Sequence, residues 1–425
     1  MATFPFYNEP SHDEGVITNV AGNAARTSAT SNTEQRLVID AVDKIFLLEP
    51  NKHPLVTLLT NVGKVWDGKA WVGAGIAKAS TTNPEFKWFE DYYGGRFGTA
   101  AATYTGGSSS SAITISVSVV GAGASSAYIF TPGDVVRNAR TGENLMVVTV
   151  ASGTTITATR AFGTTAAADG VVGDSLFIVG NASEENAGAR NVNTTRSTPN
   201  TNYTQIFRTS IALSNTEKEV KLYGGPDLPY QRAKKGTEHA LDMERAFWWG
   251  QKYSDNGGTQ GQIRRATGGV LEFLQAGNSY VQNQNGPITA PDFNTFLREG
   301  FTYGNNEKMI FASGLVLQAI NEMARGQIRI KPEEKTYGIQ ISEWYTPFGM
   351  VNIVHNPLFI DAYASYAFMM DMESFRYRFL QNRDTVLRLN IQAPDLDGQV
   401  DEYLSEVGLE RKQAPRHALL LGVTS

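Results

Sequence analysis

The sequence predicts an α+β protein with a small β-barrel or sandwich set into it. Three observations carry this. A stretch from about Gly106 to Gly180 is almost free of charge and rich in Thr, Val, Ser, Ala and Gly; it lies between two segments that read as the strands of one long hairpin; and a long amphipathic helix and a mixed helix and strand lobe follow it. Residues 101 to 180 hold seven charged side chains, Asp134, Arg137, Arg140, Glu143, Arg160, Asp169 and Asp174, and no lysine. Turn residues recur at Thr131-Pro132-Gly133, Arg140-Thr141-Gly142 and Ser152-Gly153 and separate four strand-like runs, Ile113 to Val120, Asp134 to Asn138, Leu145 to Val150 and Thr154 to Arg160.

Elements follow in order along the chain. Residues 1–33 are polar and lack an apolar period, so they read as an extended arm that orders on a neighbour. Ser31-Asn32-Thr33-Glu34 fits a capping box, and Leu37, Val38, Ala41, Val42, Ile45 and Leu48 then form one helical stripe that Pro50 ends. A short apolar stretch from Pro54 to Val62 precedes the aromatic run Phe86 to Tyr93, which reads as a strand with Asn202 to Leu213 as its return partner. The longest helix is expected over Leu228 to Tyr253, about 39 Å at 1.5 Å per residue, with Ala233, Thr237, Ala240, Leu241, Phe247 and Trp248 on one face. Gly250 to Gly261 reads as a flexible loop. Beyond it, Thr289 caps a helix through Phe301, Met309 to Ser313 is a buried strand, and Gly314 to Ala324 is a helix. A hairpin joins Ile339 to Tyr345 and Met350 to His355. Strands close the chain at Tyr366 to Met370, Phe375 to Phe379 and Ala418 to Leu421.

Composition narrows the function. At 425 residues the chain exceeds what one core usually organises, so two or three lobes are expected. Lys and Arg number 37 against 42 Asp and Glu, and a net charge of −5 gives no long-range pull toward nucleic acid or anionic lipid. The start lacks a basic and apolar leader and no run of about 18 apolar residues occurs, so neither secretion nor a membrane is expected, and folding is expected in a cytoplasm. With no cysteine, disulfides, thiolate metal sites and cysteine nucleophiles are absent. The Asn-x-Ser/Thr matches at Asn181, Asn193 and Asn202 are common by chance.

The search for chemistry returns no catalytic, cofactor-binding or metal residue. His12, His53, His239, His355 and His417 are scattered without metal-ligand spacing. Glu238, His239, Asp242, Glu244 and Arg245 form a tempting acid/base cluster, yet Glu238, Asp242 and Arg245 read better as mutual charge pairs on a solvated helix face, with Glu244 nearest the apolar stripe and facing an arginine. Gly121-x-Gly123 lacks the third glycine and the helix of a dinucleotide loop, and Gly73-x-Gly75 with Lys78 lacks the Gly-Lys-Ser/Thr of a phosphate loop. Trp66, Trp71, Trp88, Trp248, Trp249 and Trp344 are too dispersed for a sugar platform, and Glu333 and Glu334 read as solvent-exposed. The absence favours a structural or binding role over an enzyme.

The order arm, helix, long hairpin, long helix, glycine-rich loop, α+β lobe and terminal strands resembles the major capsid proteins of tailed phages, the Hong Kong 97 type, over about Glu34 to Gly422. The group with a β-domain in the hairpin is most similar, through Phe130 to Asn138, Ser214 to Gly224, Asp242 to Gly250 and Phe348 to Val354. The resemblance implies an N-terminal arm at 1–33, then an N-terminal helix and peripheral-domain segment at 34–65. It implies an extended hairpin loop at 66–213 that contains an inserted β-domain at 106–183, and a spine helix with its glycine-rich loop at 214–267. An axial domain at 268–356 and peripheral strands at 357–425 complete it. It further implies self-assembly into pentamers and hexamers of an icosahedral shell, with no cofactor. Scaffolding, portal and cement or decoration proteins would be separate chains, and packaged DNA would be touched non-specifically on the inner face. The chain would reside in the virion, and in the host cytoplasm during assembly. The insert is expected to cap neighbouring subunits rather than to face outward. An encapsulin-like compartment, a tail or adhesin protein, and a hydrolase with an accessory β-module remain as alternatives.

Overall fold

The computed structural model describes residues 53–60, 65–66, 71–72, 78–93, 95–106, 112–118, 127–190, 194, 196–220, 226–257, 261–323 and 341–424. The arm, the capped helix from Ser31, both glycine-loop motifs, His12, Asn193, Glu333 and Glu334, and the side chains of Trp66 and Trp71 lie outside them. The fold class is α+β, as expected. The chain divides into two compact units, residues 87–201 and the remainder.

The first described elements are α1 (Pro54–Thr60), the two-residue strands β1 (Val65–Trp66) and β2 (Trp71–Val72), which pair, β3 (Ala79–Thr81) and β4 (Glu85–Glu90). Burial alternates along β4, with Phe86, Trp88 and Glu90 inside and Lys87 and Phe89 outside.

The smaller unit is built on a closed six-stranded barrel. Its strands are β5 (Phe97–Ala100), β6 (Ala112–Ser118), β7 (Asp134–Asn138), β8 (Asn144–Ser152), β9 (Thr155–Thr159) and β10 (Ser175–Asn181), in the order β10-β5-β6-β9-β8-β7 with β7 returning to β10. Alternate residues fill the interior, among them Ile115, Val117, Val136, Leu145, Val147, Ile156, Ala158 and Leu176, with Tyr104 and Phe130. The barrel starts upstream of the expected insert boundary at 106, because β5 pairs with both β10 and β6 and without it the sheet would have two open edges. Most of the few charges are consumed internally. Arg160 binds Glu143 through Nε at 2.8 Å and Nη2 at 2.6 Å, both side chains fully buried, and its Nη1 donates to Gly106 O at 2.7 Å. Arg140 grips Asp174, which Asn138 also binds, and holds its carboxyl down to about 2. Gly170 abuts the Tyr104 ring so closely that a Cβ there would lie 2.1 Å from it.

The chain leaves this unit through β11 (Thr198–Tyr203), the partner of β4, and continues as β12 (Gln205–Ser214) and the short α2 (Asn215–Glu219). The return strand of the hairpin is therefore Thr198–Tyr203, not Asn202 to Leu213. The ladder breaks at Thr204, whose N–H donates to Pro84 O at 2.8 Å, and beyond it β12 finds a different partner. The long helix α3 spans Asp227–Trp249, 23 residues rather than 26. It ends because Gly250 leaves helical geometry and packs so tightly on Thr267 that a Cβ would sit 2.5 Å from the Thr267 carbonyl oxygen. Within the segment expected as a flexible loop, Gly250 to Gly261, Tyr253–Asp255 instead forms the strand β13, which pairs with β14 (Arg264–Ala266) just beyond it.

Next come α4 (Val270–Ala276), β15 (Tyr280–Pro287), α5 (Ala290–Gly300), β16 (Glu307–Ala312), α6 (Gly314–Met323), β17 (Ile341–Thr346), β18 (Gly349–His355) and β19 (Ala367–Met370). Thr289 caps α5 through a capping box with Asp292, as its sequence foretells. The last strands are β20 (Phe375–Leu380), β21 (Val386–Arg388), β22 (Gly398–Arg411) and β23 (Ala418–Thr424). A six-stranded sheet, β15-β23-β19-β16-β18-β17, forms the lobe. Residues 268–356 are thus not a self-contained lobe: β19 and β23, expected among peripheral strands, fill the centre of this sheet, where Ala367–Met370 and Ala418–Leu420 are buried. The second sheet runs β12-β22-β20-β3, with β21 also on β22. One apolar cluster joins both sheets through α1 and α3, including Leu55, Leu59, Phe247, Trp248, Phe311, Phe368, Tyr377 and Leu409.

Replacing Arg160 by Met should leave Glu143 buried without its cation and lower the stability of the barrel unit by about 3–5 kcal/mol. Denaturant titration of the full chain, with Trp-independent circular dichroism, should show an early transition absent from the parent; unchanged unfolding would remove the ion pair from the account of barrel closure.

Candidate functional site

The helix cluster does not converge. Glu238 pairs with Lys235 at 2.6 Å instead of with Asp242 or Arg245, while Asp242 meets Arg245 at 3.4 Å on the exposed face. His239 is buried between Thr209 Oγ1 at 2.9 Å and Ser405 Oγ at 2.7 Å, with Phe207 and Tyr403 beside its ring. Burial pushes its pKa down, which keeps the imidazole neutral.

Glu244 is fully buried and meets no arginine among the described residues. Its Oε1 accepts from Leu55 N at 3.0 Å and Trp248 Nε1 at 2.8 Å, and its Oε2 from Val56 N at 2.6 Å; Asn356 Nδ2 stands 3.5 Å away. The reason is the start of α1. Pro54 has no N–H, so Leu55 and Val56 carry the unsatisfied first-turn donors, and the carboxylate supplies the acceptors. Burial without a cation outweighs these hydrogen bonds and pushes the carboxyl up to about 7.

Two further buried ionisable groups, Lys308, which the sequence did not single out, and His417, which it set aside as a ligand, have the same structural character. Lys308 Nζ donates to Gly300 O at 2.5 Å, Tyr303 O at 2.6 Å and Arg416 O at 2.5 Å, so it closes the C-terminal end of α5, and burial lowers its pKa to about 8. A lysine at the head of the apolar run Met309 to Ala312 was the available cue. His417 Nδ1 accepts from Asp371 N at 3.1 Å, which leaves Nε2–H to donate to Lys412 O at 3.1 Å; burial lowers this pKa to about 3. Lys78 ion-pairs with Asp384 and lies over the Tyr377 and Phe379 rings. Among the tryptophans, Trp88 and Trp248 are buried, Trp249 stacks on Tyr363, and Trp344 packs on Phe293. Among the described residues no group of three or more His, Cys, Asp or Glu is placed to hold a metal ion.

What the structure does present is exposed apolar surface at the ends and outer walls of β-elements. Phe89 and Tyr93 stand out at the end of β4, Tyr345 and Phe348 at the β17–β18 turn, and Phe97, Phe177 and Val179 on the barrel. Such surface is suited to contact with other chains.

A family model described as SU10 major capsid protein matches residues 19–424, nearly the whole chain. The chain belongs to the SU10 major capsid protein family. A major capsid protein of Pseudomonas phage PaMx41 is 24% identical over 267 residues, which cover 60% of this chain and 63% of that protein, so the match spans less than two thirds of the relative's length. Among solved structures, the capsid of a native GTA particle is similar with a TM-score of 0.42 and 12% identity, over 58% of this chain and 81% of that one. The holo-SrpI encapsulin complex of Synechococcus elongatus PCC 7942 gives 0.37 and 9%, over 54% and 78%. At these scores the structural likenesses do not separate a phage head from an encapsulin compartment. Membership of the capsid family rests on the sequence match.

The carboxyl of Glu244 gives a pH test. Its folded value, about 7, lies above the ordinary 4.5, so the group favours folding in its protonated form. That contribution is fully present below the unfolded value and is lost as pH rises through the folded one. Glu244→Gln carries a pH-independent cost, because an amide nitrogen cannot accept the Val56 N–H, but its stability relative to the parent should rise by roughly 3 kcal/mol between about pH 4 and about pH 8. A difference between the two proteins that stays constant over this range, read by chemical denaturation, would contradict the assignment.

Proposed function

We propose that this chain is the structural subunit of a phage head, one that assembles with copies of itself into pentamers and hexamers of an icosahedral shell enclosing the genome. The family match over residues 19–424 carries the reading. No catalytic residue and no cofactor belong to it.

In the Hong Kong 97-type scheme, residues 1–33 serve as the arm and 34–65 as the following peripheral segment. The segment 66–213 is the extended loop, with the β5–β10 barrel as its insert, and α3 is the spine. The six-stranded sheet is the axial domain, now with β19 and β23 included, and the β12-β22-β20-β3 sheet joins the spine in the peripheral domain. The two compact units and the 23-residue helix support this division. Separate scaffolding, portal and cement proteins complete the partner set. Packaged DNA meets local lysines and arginines on the inner face, a contact weakened by salt. The virion is its final location and the host cytoplasm the place of assembly.

Expression of the chain alone, followed by size exclusion and negative-stain electron microscopy, tests the proposal. Closed shells, or five- and six-membered rings, are expected, with interface burial accumulating around closed symmetry. A monomer insensitive to concentration, alone and with phage scaffolding protein, would sink it. Particles from infected cells that hold a cargo enzyme and no DNA would replace the phage head by a compartment shell.

A further inference from the structure

The barrel has two unlike outer walls. On β6 and β9 the outward residues are small and polar, Thr114, Ser116, Ser118, Thr155, Thr157 and Thr159. On β5, β10, β7 and β8 the outward side carries large apolar residues, Phe97 38% exposed, Phe177 45%, Val179 64% and Val148 40%, with Val135 and Met146 half-buried, beside the polar Thr99, Arg137, Thr149 and Asn181. Two of these residues sit at β-bulges. The β10–β7 register shifts at Val179 and the β8–β9 register at Val148, so each inserts one extra apolar side chain outside the regular alternation. Bulges re-aim side chains, and here both re-aim valines to the surface of a barrel whose interior is already filled.

The charge on this wall indicates what covers it. Phe177 is in register with Phe97 on one side and with Arg137 on the other, which makes a row Phe97–Phe177–Arg137 across adjacent strands, with the two phenylalanine rings 5.8 Å apart. A twofold axis through Phe177 maps this row onto itself in reverse. Each exposed Arg137 then lies over Phe97 of the other copy, and the two arginines are held apart at opposite ends. The row is thus complementary to itself in charge as well as in apolar character. Five of the seven charged residues at 101–180 are already tied in ion pairs inside the unit, so they do not oppose the contact.

We propose that this wall is an isologous contact between the barrels of two copies of this chain, centred on Phe177. The proposal rests on the reading that copies of the chain assemble. The absence of cysteine allows a clean test in the full-length protein. Phe177→Cys and, as a second site on the wall, Val179→Cys are each treated with a short bis-maleimide, with Thr157→Cys on the polar wall as control. Sheets that pack face to face lie about 10 Å apart, within reach of such a linker but beyond a disulfide. Covalent dimers are expected from both wall variants and not from the control. Particles in the microscope without covalent dimers from either wall variant, or with dimers equally from Thr157→Cys, would overturn the contact and leave the assembly reading intact. Dimers without particles would uphold the contact and remove the shell, and neither dimers nor particles would remove both.

Discussion

The structure turns on a row of buried acids in one strand. Along β22, Asp401, Glu402, Glu406 and Glu410 are all nearly or fully shielded from solvent. A carboxylate in that position demands a partner, since an unpaired buried charge costs far more than any hydrogen bond returns. The partners come from separate parts of the chain. Arg232 of α3 binds Asp401 at 2.6 Å, Arg208 of β12 binds Glu402 at 2.5 Å, Arg383 beyond β20 binds Glu406 at 2.6 Å, and Arg378 within β20 binds Glu410 together with Lys412. At the end of the strand the polarity reverses: buried Arg411 reaches Glu272 of α4 and the Gly269 carbonyl. A slip of one residue would turn every acid away from its cation and to the other face of the sheet, so the ion pairs fix register more than they add stability.

The same strand anchors the long helix. Tyr403 on β22 donates its hydroxyl to Arg232 O at 3.1 Å, and Gly236 leaves room for that ring, its missing Cβ falling 3.3 Å from the hydroxyl oxygen. One turn on, His239 bridges to Ser405. Further along, Glu244 gathers the start of α1, and Trp248 enters the aromatic group of Phe311, Phe359 and Phe368 beneath the six-stranded sheet. One helix of about 34 Å therefore touches both sheets and α1 through a different chemistry at each level. A rod held in this way couples the two sheets, in keeping with the proposed role of α3 as a spine.

Local signals in the sequence were sound. The cap at Thr289, the turns at Gly133 and Gly142, the strand Asp134–Asn138, and the buried Leu241, Phe247 and Trp248 of the long helix all depend on residues a few positions apart, whereas Ala233 and Thr237, expected on the same helix face, are exposed. Pairings across long stretches of chain were not legible. Asn202 to Leu213 reads as one strand, and only the meeting of Thr204 with Pro84, 120 positions away, divides it. β22 is not among the strands read from the sequence: four acids lie along it, and their burial follows from arginines as far as 194 positions away. Glu244 pointed toward the core by its place on the helix, yet its partners are backbone groups of a seven-residue helix that no side-chain pattern identifies. The residues that tie the subunit together were thus the ones whose type argued against burial.

The inward placement of charge has an outward consequence. The arginines that face β22 and the barrel carboxylates, several of them partly exposed, are each paired with a buried acid. The overall balance, 37 cations against 42 anions, leaves a modest net charge for 425 residues, so copies of the chain do not strongly repel. At the same time Phe89, Tyr93, Tyr345, Phe348 and Phe177 remain exposed. A chain that stayed monomeric would gain from the opposite arrangement, with acids outside and these aromatics inside. Register fixed by buried ion pairs and contact surface left apolar are two results of one allocation of residues, and both suit the proposed assembly of the chain with its own copies.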